Sequence, residues 1–502
     1  MGTRRDDITG MERAQIAIQI MPPNRPHGVV TKLADSHRVS RQTIYQIAAA
    51  GKALLETDLQ PGRHGPCPIE KDVRVDRNRL GRSTVVLTEV GVSQRDIGFC
   101  LQEMLDTHLS AGWVNAELSR REALAAGLNA SWQPTATETL SGDEIYSNGS
   151  PNLLLVGNES LYIYTLTRQP TCDGETGGCI LLDQPDCPQF SSDGGLGLAA
   201  GAQEAGLRVH QLDWDHLLRP LWGQASRLES QAYAALEAVR ERAGKFDQAH
   251  TAKRLEQHFK AWEKREAEAV EKITQYDHFF QIAKQVDEQF ALIDLQTGEL
   301  CDPGLGAARL QGLGEQLSRW KGRIYEKLAS NLTHWAEALF AYQPLLQQTL
   351  APLIEQWGAP AIQALSRIWQ IEADQKRHPL PLDQQRTRQT LWEHSLDQAA
   401  MLLGIEQLGE TWEAVRQVLG RSWRGSMLAE CVNSLLRPLL RGRKSTDQEC
   451  LELFRFLHNV RPFARGKRSH HSPAELAGLV VPDDPLTLLG LAPKCQSNFS
   501  GL

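Results

Sequence analysis

Several features of secreted and membrane proteins are missing from this 502-residue sequence. No run of about 18 apolar residues occurs, so we expect no transmembrane helix and no membrane partner. The first residues, MGTRRDDITGMER, lack the apolar stretch of a secretion signal. The nine cysteines are few for a chain that is long enough to bury a core without disulfides, which excludes a small disulfide scaffold. We therefore expect a cytoplasmic protein with reduced thiols.

Signatures of nucleotide and zinc binding are missing as well. The glycine-rich segment GGLGLAAG at 194–201 matches neither a P-loop nor the dinucleotide fingerprint. Cys172, Cys179 and Cys187 have spacings of seven and eight residues, unlike structural zinc sites. Free thiols are the favoured interpretation of these three cysteines, with a zinc site as the alternative.

The chain has no net positive charge. Its formal net charge is −7, and this total argues against a nucleic-acid partner. The distribution is uneven, however. Residues 1–100 contain 15 Lys and Arg against 11 Asp and Glu, and residues 434–471 contain nine against three, which leaves −17 for the remainder. Because only the potential within about 10 Å acts on a partner at 0.1 M salt, two basic ends remain compatible with DNA. The alternative is an ordinary solvated surface.

The first basic end contains a helix, a turn and a second helix. In VVTKLADSHRVSRQTIYQIAAAGKAL the turn lies at 37–39, and Ser40 is placed as the N-cap of the second helix. The first turns of that helix present Arg41, Gln42, Thr43 and Tyr45. These positions correspond to the part of a recognition helix that enters a major groove, where Arg and Gln pair with guanine and adenine edges.

A second helical stretch at about 83–128 repeats this arrangement. Gly91 lies in the turn, Ser93 is the predicted N-cap, and Gln94 and Arg95 point outward. An ordinary helical hairpin is the alternative for either unit alone. Two units in tandem, both with Ser followed by Arg and Gln in a basic segment, favour binding to double-stranded DNA.

An α/β segment follows from Leu140, with short β-type runs that include NLLLV, LYIYTL, CILL and RVHQL. We predict a meander of three strands, a fourth strand ending at Asp193, a helix to about 204, and a fifth strand reaching Asp213. If the first and fourth strands are neighbours, Asp143 and Asp193 meet, and Gly194 lets the chain turn directly after the carboxylate.

From about 218 to 425 the pattern is long, polar and helical. The tryptophans of this region are predicted to be core residues, with stacking on a flipped base as the alternative for an exposed one. They are Trp320, Trp335, Trp357, Trp369, Trp392, Trp412 and Trp423.

The order of motifs along the chain is more specific than any single one. It runs Asp143, Ser192-Asp193-Gly194-Gly195, Asp213-Trp214-Asp215-His216, Arg424-x-Ser426-x-x-x-Glu430-x-x-Asn433, His458-Asn459-x-Arg461 and Ser472-Pro473-Ala474-Glu475-Leu476. This order resembles the DDE transposases of bacterial insertion sequences, which have a ribonuclease-H-like core. The Asp-x-x-His element resembles the C/D(2)H motif of mutator-like transposases, where it precedes an all-helical insertion. The likeness covers about 140–480.

The resemblance implies a site and a cofactor. Asp143, Asp193 and Glu430 would be catalytic, with Asp143 bridging two Mg²⁺ ions and the others each holding one; Mn²⁺ would substitute. Two ions serve to activate the attacking oxygen and to stabilise the leaving oxygen. Glu144 adjoins Asp143 and points to the opposite face of a strand, so only one of the two can be the ligand, and we favour Asp143. Cations on the Glu430 helix and just beyond it, where they would meet DNA phosphates, are Arg437, Arg441, Arg443 and Lys444.

Three further residues have two interpretations each. By analogy, Asp213 and His216 would hold a flanking nucleotide or the carboxylate strand. Their alternative is a helix-start Asp beside a His that packs on the sheet. Asn433 would hydrogen-bond near the metals or face a neighbouring helix.

The predicted fold class is therefore multidomain, with an all-α helix-turn-helix N-terminus and an α/β ribonuclease-H-like core interrupted by a large all-α insertion. The predicted segments are two DNA-binding domains, the first part of the core, the insertion, the final core helices and a tail, at 1–65, 66–135, 136–217, 218–425, 426–476 and 477–502. The resemblance implies a nucleoid-associated bacterial transposase that binds terminal inverted repeats and target DNA as a homodimer or higher oligomer. The alternatives are a transposase-derived regulator that binds without cutting, and a ribonuclease-H-like nuclease or resolvase acting on branched DNA.

Overall fold

The computed structural model describes residues 8–21, 28–58, 75–184, 186–247, 251–377, 382–442 and 446–493. The chain divides into two compact units, 1–75 and 76–502. Within the described ranges the protein is rich in helices and has one mixed five-stranded sheet, which lies in the larger unit. No helix in these ranges has both the length and the apolar character needed to cross a membrane.

The smaller unit contains three helices, α1 (Gly10–Ile20), α2 (Val29–Ser36) and α3 (Arg41–Asp58). Their shared core is apolar and includes Ile16, Ile20, Ala34, Ile44 and Ile47. The Ser40 hydroxyl accepts a 3.1 Å hydrogen bond from the Thr43 N–H, which stabilises the start of α3. The turn and the N-cap predicted here are confirmed.

The larger unit begins with α4 (Arg77–Glu89), α5 (Gln94–Leu105) and α6 (Ala111–Ser131). Each of the three starts with a side-chain cap, provided in turn by Asp76, Ser93 and Ser110. The turn at Gly91 and the N-cap at Ser93, predicted within the stretch at about 83–128, are confirmed, and a second turn separates α5 from α6. Gly91 has φ 84° in the turn before α5, and a Cβ there would lie 2.6 Å from Pro438, so the turn needs glycine twice over.

The sheet consists of β1 (Leu140–Ser147), β2 (Ser150–Gly157), β3 (Ile163–Arg168), β4 (Phe190–Ser192) and β5 (His210–Leu212). The strand order is β3-β2-β1-β4-β5. The first three strands form an antiparallel meander, whereas β4 and β5 are parallel to β1. The predicted meander, fourth strand and fifth strand are confirmed.

One β-type run was predicted wrongly. CILL at 179–182 belongs to α7 (Gly174–Leu182), which Asp173 caps by accepting from the Thr176 N–H. A run of four apolar residues is too short for its periodicity to distinguish a strand from a helix. Close packing against α8 (Leu196–Glu204) decides the outcome, since a Cβ on Gly201 would lie 2.4 Å from the carbonyl carbon of Gly177.

A long helical segment follows β5, as the sequence predicted. Its helices are α9 (Trp214–Asp247), α10 (Ala252–Glu288), α11 (Pro303–Ser318), α12 (Arg323–His334), a 3-10 turn (Ala338–Phe340), α13 (Gln343–Trp357), α14 (Ala359–Arg377) and α15 (Leu382–Gly420). The last is interrupted at Gly404, which has φ 72°. Six of the predicted core tryptophans pack, partly buried, against the core of these helices, namely Trp320, Trp335, Trp357, Trp369, Trp392 and Trp412.

The chain then returns to the sheet through α16 (Met427–Gly442), α17 (Gln448–Val460), α18 (Pro473–Leu476) and a 3-10 turn (Pro485–Leu489). Side chains of α16 and α17, including Val432, Leu436 and Phe454, pack on Leu154 and Ile163 of the sheet. Helices α7 and α8 cover the opposite face, where Phe190 contributes to the core. The sheet is thus enclosed between helices from distant parts of the sequence.

Candidate active site

Asp143 lies on β1, between β2 and β4. Its Oδ1 accepts a 2.8 Å hydrogen bond from the Glu144 N–H, and its Oδ2 accepts a 2.7 Å bond from Nδ2 of Asn433. Burial raises the pKa of Asp143 to about 6, against the effect of these hydrogen bonds, and the charges of Asp193 and Glu430 add to the increase. Asp143 is therefore within electrostatic reach of both other predicted carboxylates.

Asp193 follows β4 directly, and β4 lies beside β1 as predicted. The strands approach closely because Gly142 has no side chain: a Cβ there would lie 2.6 Å from the Phe190 ring. The Oδ1 of Asp193 accepts a 2.8 Å hydrogen bond from the Gly195 N–H, and Gly194 makes the turn with φ 79°. The strand end and the turn together hold the carboxylate at this edge of the sheet.

Glu430 lies in the first turn of α16 and is half-buried. Nη2 of Arg219 is 3.4 Å from its Oε2, and Nε2 of His216 is 4.0 Å from its Oε1. Arg219 also pairs with Asp215. Two cation-forming side chains of α9 thus position a carboxylate that belongs to a helix 211 residues further along the chain.

Asp213 joins the end of β5 to the start of α16. It is buried, and it accepts hydrogen bonds from the Ser426 N–H at 2.8 Å, the Ser426 hydroxyl at 2.7 Å and the Asp215 N–H at 2.7 Å. Nδ1 of His216 is 3.1 Å away. Burial opposes ionisation, but the bonds from His216 and Ser426 hold the pKa of Asp213 below its usual value. The same bond raises the pKa of His216, so this histidine is oriented by one carboxylate toward another.

Asn433 is buried on α16, and its Nδ2 is the group that donates to Asp143. Its Oδ1 is also buried and has no hydrogen-bond partner among the described residues. Of the two interpretations of Asn433, the contact with the predicted catalytic carboxylate is the one that the structure contains.

Glu144 lies on the other face of β1, as alternation along a strand requires. An added Cβ on Gly195 would lie 3.2 Å from Oε1 of Glu144 and 3.0 Å from Oδ1 of Asp193. Burial raises the pKa of Glu144. Asp143 therefore faces α16, whereas Glu144 faces the turn before α8.

The residues predicted to read DNA lie at the starts of two helices, α3 in the smaller unit and α5 in the larger. On α3, Arg41, Gln42 and Tyr45 are exposed, and Thr43 is partly buried. On α5, Arg95 is exposed. Gln94 is partly buried and donates a 3.3 Å hydrogen bond to Asn115 of α6.

Two of the four predicted phosphate-binding cations, Arg437 and Arg441, are exposed on α16. The turn before α5 packs on the same helix, because Gly91 touches Pro438. The second helix-turn-helix unit and the Glu430 helix are thus in direct contact. The other two predicted cations lie outside the described residues; they are Arg443 and Lys444.

None of Cys172, Cys179 and Cys187 forms a disulfide with a cysteine that the structure describes. Burial raises the pKa of Cys172 to about 12 and that of Cys187 to about 11. Cys187 donates a hydrogen bond to the Gln189 carbonyl, and Cys179 is exposed. The raised pKa values of Cys172 and Cys187 disfavour the thiolate form that a metal ligand needs.

No family model matches this sequence, and no curated protein does either. The conclusions about its chemistry therefore depend on the site itself. Among the described residues, no three His, Cys, Asp or Glu side chains already lie close enough to enclose a metal ion.

The donor set nevertheless suits a hard divalent cation. Asp143, Asp193 and Glu430 offer carboxylate oxygens, which Mg²⁺ prefers. Burial raises the pKa of Asp143, and the charges of Asp193 and Glu430 add to the increase, so a bound cation would favour its ionised form.

Arg219 is the residue that the sequence analysis missed. Its contact with Glu430 joins the first turns of α9 to α16 across 211 residues, a pairing that spacing cannot reveal. The sequence does contain a local indication of Arg219. Asp215, within the Asp-x-x-His element, and Arg219 are four residues apart on a predicted helix, a spacing typical of an ion pair.

Proposed function

We propose that this protein is a DNA transposase of the DDE type, which cleaves the ends of a mobile element and joins them to target DNA. The observation that carries the proposal is that Asp143 on β1 feels the charges of both Asp193, which follows β4 beside it, and Glu430 on α16. The strand order and directions resemble those of ribonuclease-H-like folds. On that basis α9–α15 would be an insertion between the second and third carboxylates.

Binding to double-stranded DNA is supported by two helix-turn-helix arrangements. Exposed Arg41 and Gln42 on α3, and Arg95 on α5, have the chemistry needed to contact base edges. The second arrangement packs on α16, whose exposed Arg437 and Arg441 would contact phosphates near the cut. The proposed ligands are terminal inverted repeats and target DNA.

Asp143, Asp193 and Glu430 would hold Mg²⁺, with Mn²⁺ as a substitute. When bound, two such ions would activate the attacking oxygen and stabilise the leaving oxygen. The protein's own contribution is orientation. Asn433 fixes the carboxylate of Asp143 through its 2.7 Å hydrogen bond, and Arg219 fixes that of Glu430.

The proposed reaction has two steps. In hydrolysis, a water oxygen bonds to phosphorus, the bond between that phosphorus and the 3′-oxygen of the element breaks, and the element keeps a free 3′-hydroxyl. In strand transfer, that hydroxyl oxygen bonds to a phosphorus of the target. The bond between this phosphorus and the neighbouring target 3′-oxygen breaks, and the target strand leaves with a 3′-hydroxyl. Because two element ends must be processed together, we propose a homodimer or higher oligomer.

The test uses duplexes made from the DNA that flanks the reading frame. Asp143→Asn, Asp193→Asn and Glu430→Gln should each abolish Mg²⁺-dependent strand cleavage and leave duplex binding nearly unchanged. Cleavage is followed on denaturing gels and binding by fluorescence anisotropy. Asp183→Asn is the matched control, since it removes an exposed carboxylate at the end of α7 and should cleave normally.

Full cleavage by all three variants would overturn the assignment of the site. Sequence-specific binding by a wild-type protein that cuts nothing, and that excises nothing from a plasmid carrying both flanks, would instead identify a regulator. Cutting of branched junctions without any need for the flanks would identify a resolvase-like nuclease.

A further inference from the structure

The connection between α17 and α18 is an unusually basic surface segment. Residues 461–471, RPFARGKRSHH, which we term the basic loop, contain four Lys and Arg and no Asp or Glu. The next carboxylate along the chain is Glu475. The basic loop thus carries +4 within a chain whose total is −7.

Main-chain hydrogen bonds hold the basic loop in one conformation. The Phe463 N–H donates to the His471 carbonyl, and the His470 N–H donates to the Phe463 carbonyl, each at 2.9 Å. The Ser469 N–H donates to the Gly466 carbonyl at 3.1 Å. A charged segment with a fixed backbone loses less conformational entropy when it binds a ligand.

One cation of the basic loop points inward and anchors it. Arg468 donates from Nε to the Glu159 carbonyl at 2.6 Å and from Nη2 to the Asn158 carbonyl at 2.8 Å. The Asn158 side chain in turn accepts a 2.5 Å bond from the Ser141 hydroxyl. Ser141 precedes Asp143 by two residues on β1, so the loop is fastened to the strand that carries the proposed catalytic carboxylate.

Two other cations point outward. Arg465 and Lys467 are exposed, and neither has an ion pair or hydrogen bond with any residue in the described part of the chain. Arg461 differs, because it pairs with Glu89 at 3.0 Å. The basic loop, which Arg468 anchors, therefore presents two exposed cationic groups that can bind an anion.

We propose that the basic loop is a binding site for the phosphodiester backbone of duplex DNA, with Arg465 and Lys467 as the contacting residues and Arg468 as the anchor. The proposal depends on the proposed function, because DNA is the ligand that this function supplies. Contacts from cations alone fix a duplex in position without reading its sequence. The basic loop would thus hold any DNA, element or target, beside the strand of Asp143.

The experiment measures binding of the full-length protein to a 30-base-pair duplex of arbitrary sequence over a range of salt concentrations. For the double variant Arg465→Gln, Lys467→Gln, the dissociation constant should rise by about ten- to fifty-fold at 0.1 M salt. The slope of log affinity against log salt, which is negative, should become about 1.8 less steep, since each phosphate contact contributes about 0.9. Arg323→Gln, an exposed arginine at the start of α12, should change neither quantity. Circular dichroism and thermal unfolding check that all variants are folded.

Three other outcomes separate this proposal from the proposed function. If the wild type binds the duplex and the double variant binds it equally well with the same salt slope, the basic loop is not a DNA site and the transposase proposal stands. If the double variant loses affinity but the wild type cuts no flanking DNA in Mg²⁺, the basic loop stands and the transposase proposal fails. If the wild type binds no duplex, both fail.

Discussion

Arg219 is a single side chain that orients the Glu430 carboxylate, so its removal should change the position of that carboxylate. It holds this carboxylate at 3.4 Å and is itself held by Asp215. If Glu430 holds Mg²⁺ as proposed, we expect Arg219→Gln to slow the proposed strand cleavage by about ten- to a hundred-fold, the usual range for residues that orient a metal ligand. We expect the Mg²⁺ concentration for half-maximal cleavage to rise as well, and Arg219→Lys to recover part of the loss.

The metal titration distinguishes orientation of Glu430 from general damage. Arg227→Gln removes an exposed arginine two turns further along α9 and should behave as wild type. Wild-type rates and wild-type Mg²⁺ dependence in Arg219→Gln would show that the contact with Glu430 has no catalytic importance.

At the scale of single residues, the sequence was informative about side chains whose position follows from a local strand pattern. It pointed to Asp143 and Asp193 because each belongs to a strand pattern that could be recognised locally. Strand alternation showed that only one of Asp143 and Glu144 could belong to the predicted site. The hydrogen bond from Asn433 stayed one of two alternatives, since the packing of α16 on β1 depends on the whole core.

Among the elements, α17 is joined to the connection between β2 and β3 by a partly buried histidine. Nε2 of His458 lies 2.9 Å from the Leu161 carbonyl, and burial lowers its pKa to about 4. His458 therefore becomes protonated near pH 6.5 in the unfolded chain, but only near pH 4 in the folded protein. Stability is complete above pH 6.5 and falls between these values, by up to about 3 kcal/mol from this residue.

His458→Gln should remove part of that pH dependence. We expect the thermal midpoint of the wild type to fall more steeply between pH 7.5 and 5 than that of the variant, as measured by scanning calorimetry in matched buffers. His210, whose pKa burial also lowers to about 4, contributes in the same direction. Its presence keeps the variant from becoming fully independent of pH. Parallel curves for the two proteins would contradict this account of His458.

Elements with long patterns or clear turn signals were predictable. The capped turns before α3 and α5 and the strands β1 to β3 follow from Ser, Gly and β-type runs that act locally. The CILL run was not, because it is short and its helix is stabilised by close contact with α8 through Gly177 and Gly201. That contact is invisible until both helices are placed.

At the scale of the whole molecule, the unit formed by residues 1–75 has its own apolar core, in which Ile16 and Ile44 are almost fully buried. We expect a fragment of residues 1–75 to fold alone, with a helical circular dichroism spectrum and a cooperative thermal transition. Ile44→Asp in the fragment should abolish the transition, because it would bury an unpaired charge.

A coil-like spectrum for the unmodified fragment would contradict its independence. Thr43→Ser is a suitable control for the mutant, since it keeps the hydroxyl that lies 2.9 Å from that of Ser40. It should unfold cooperatively near the temperature of the parent fragment.

Overall composition was the least informative scale. The net charge of −7 averages basic and acidic segments, and it conceals the +4 that lies in the eleven residues of the basic loop. The five-stranded sheet was largely predictable, but its enclosure between α7 and α8 on one face and α16 and α17 on the other was not. That arrangement depends on contacts between residues hundreds of positions apart.

The hydrogen bond between Asp143 and Asn433 spans 290 residues, and this separation also has a meaning in time. A ribosome that adds about 5–20 residues per second needs roughly 15–60 s to pass from one to the other. During that interval the nascent chain carries Asp143 and Asp193 but not α16. Under the proposed function, this order of residues would act as a delay: an unfinished polypeptide would carry both helix-turn-helix units but would lack the third carboxylate needed to cleave DNA.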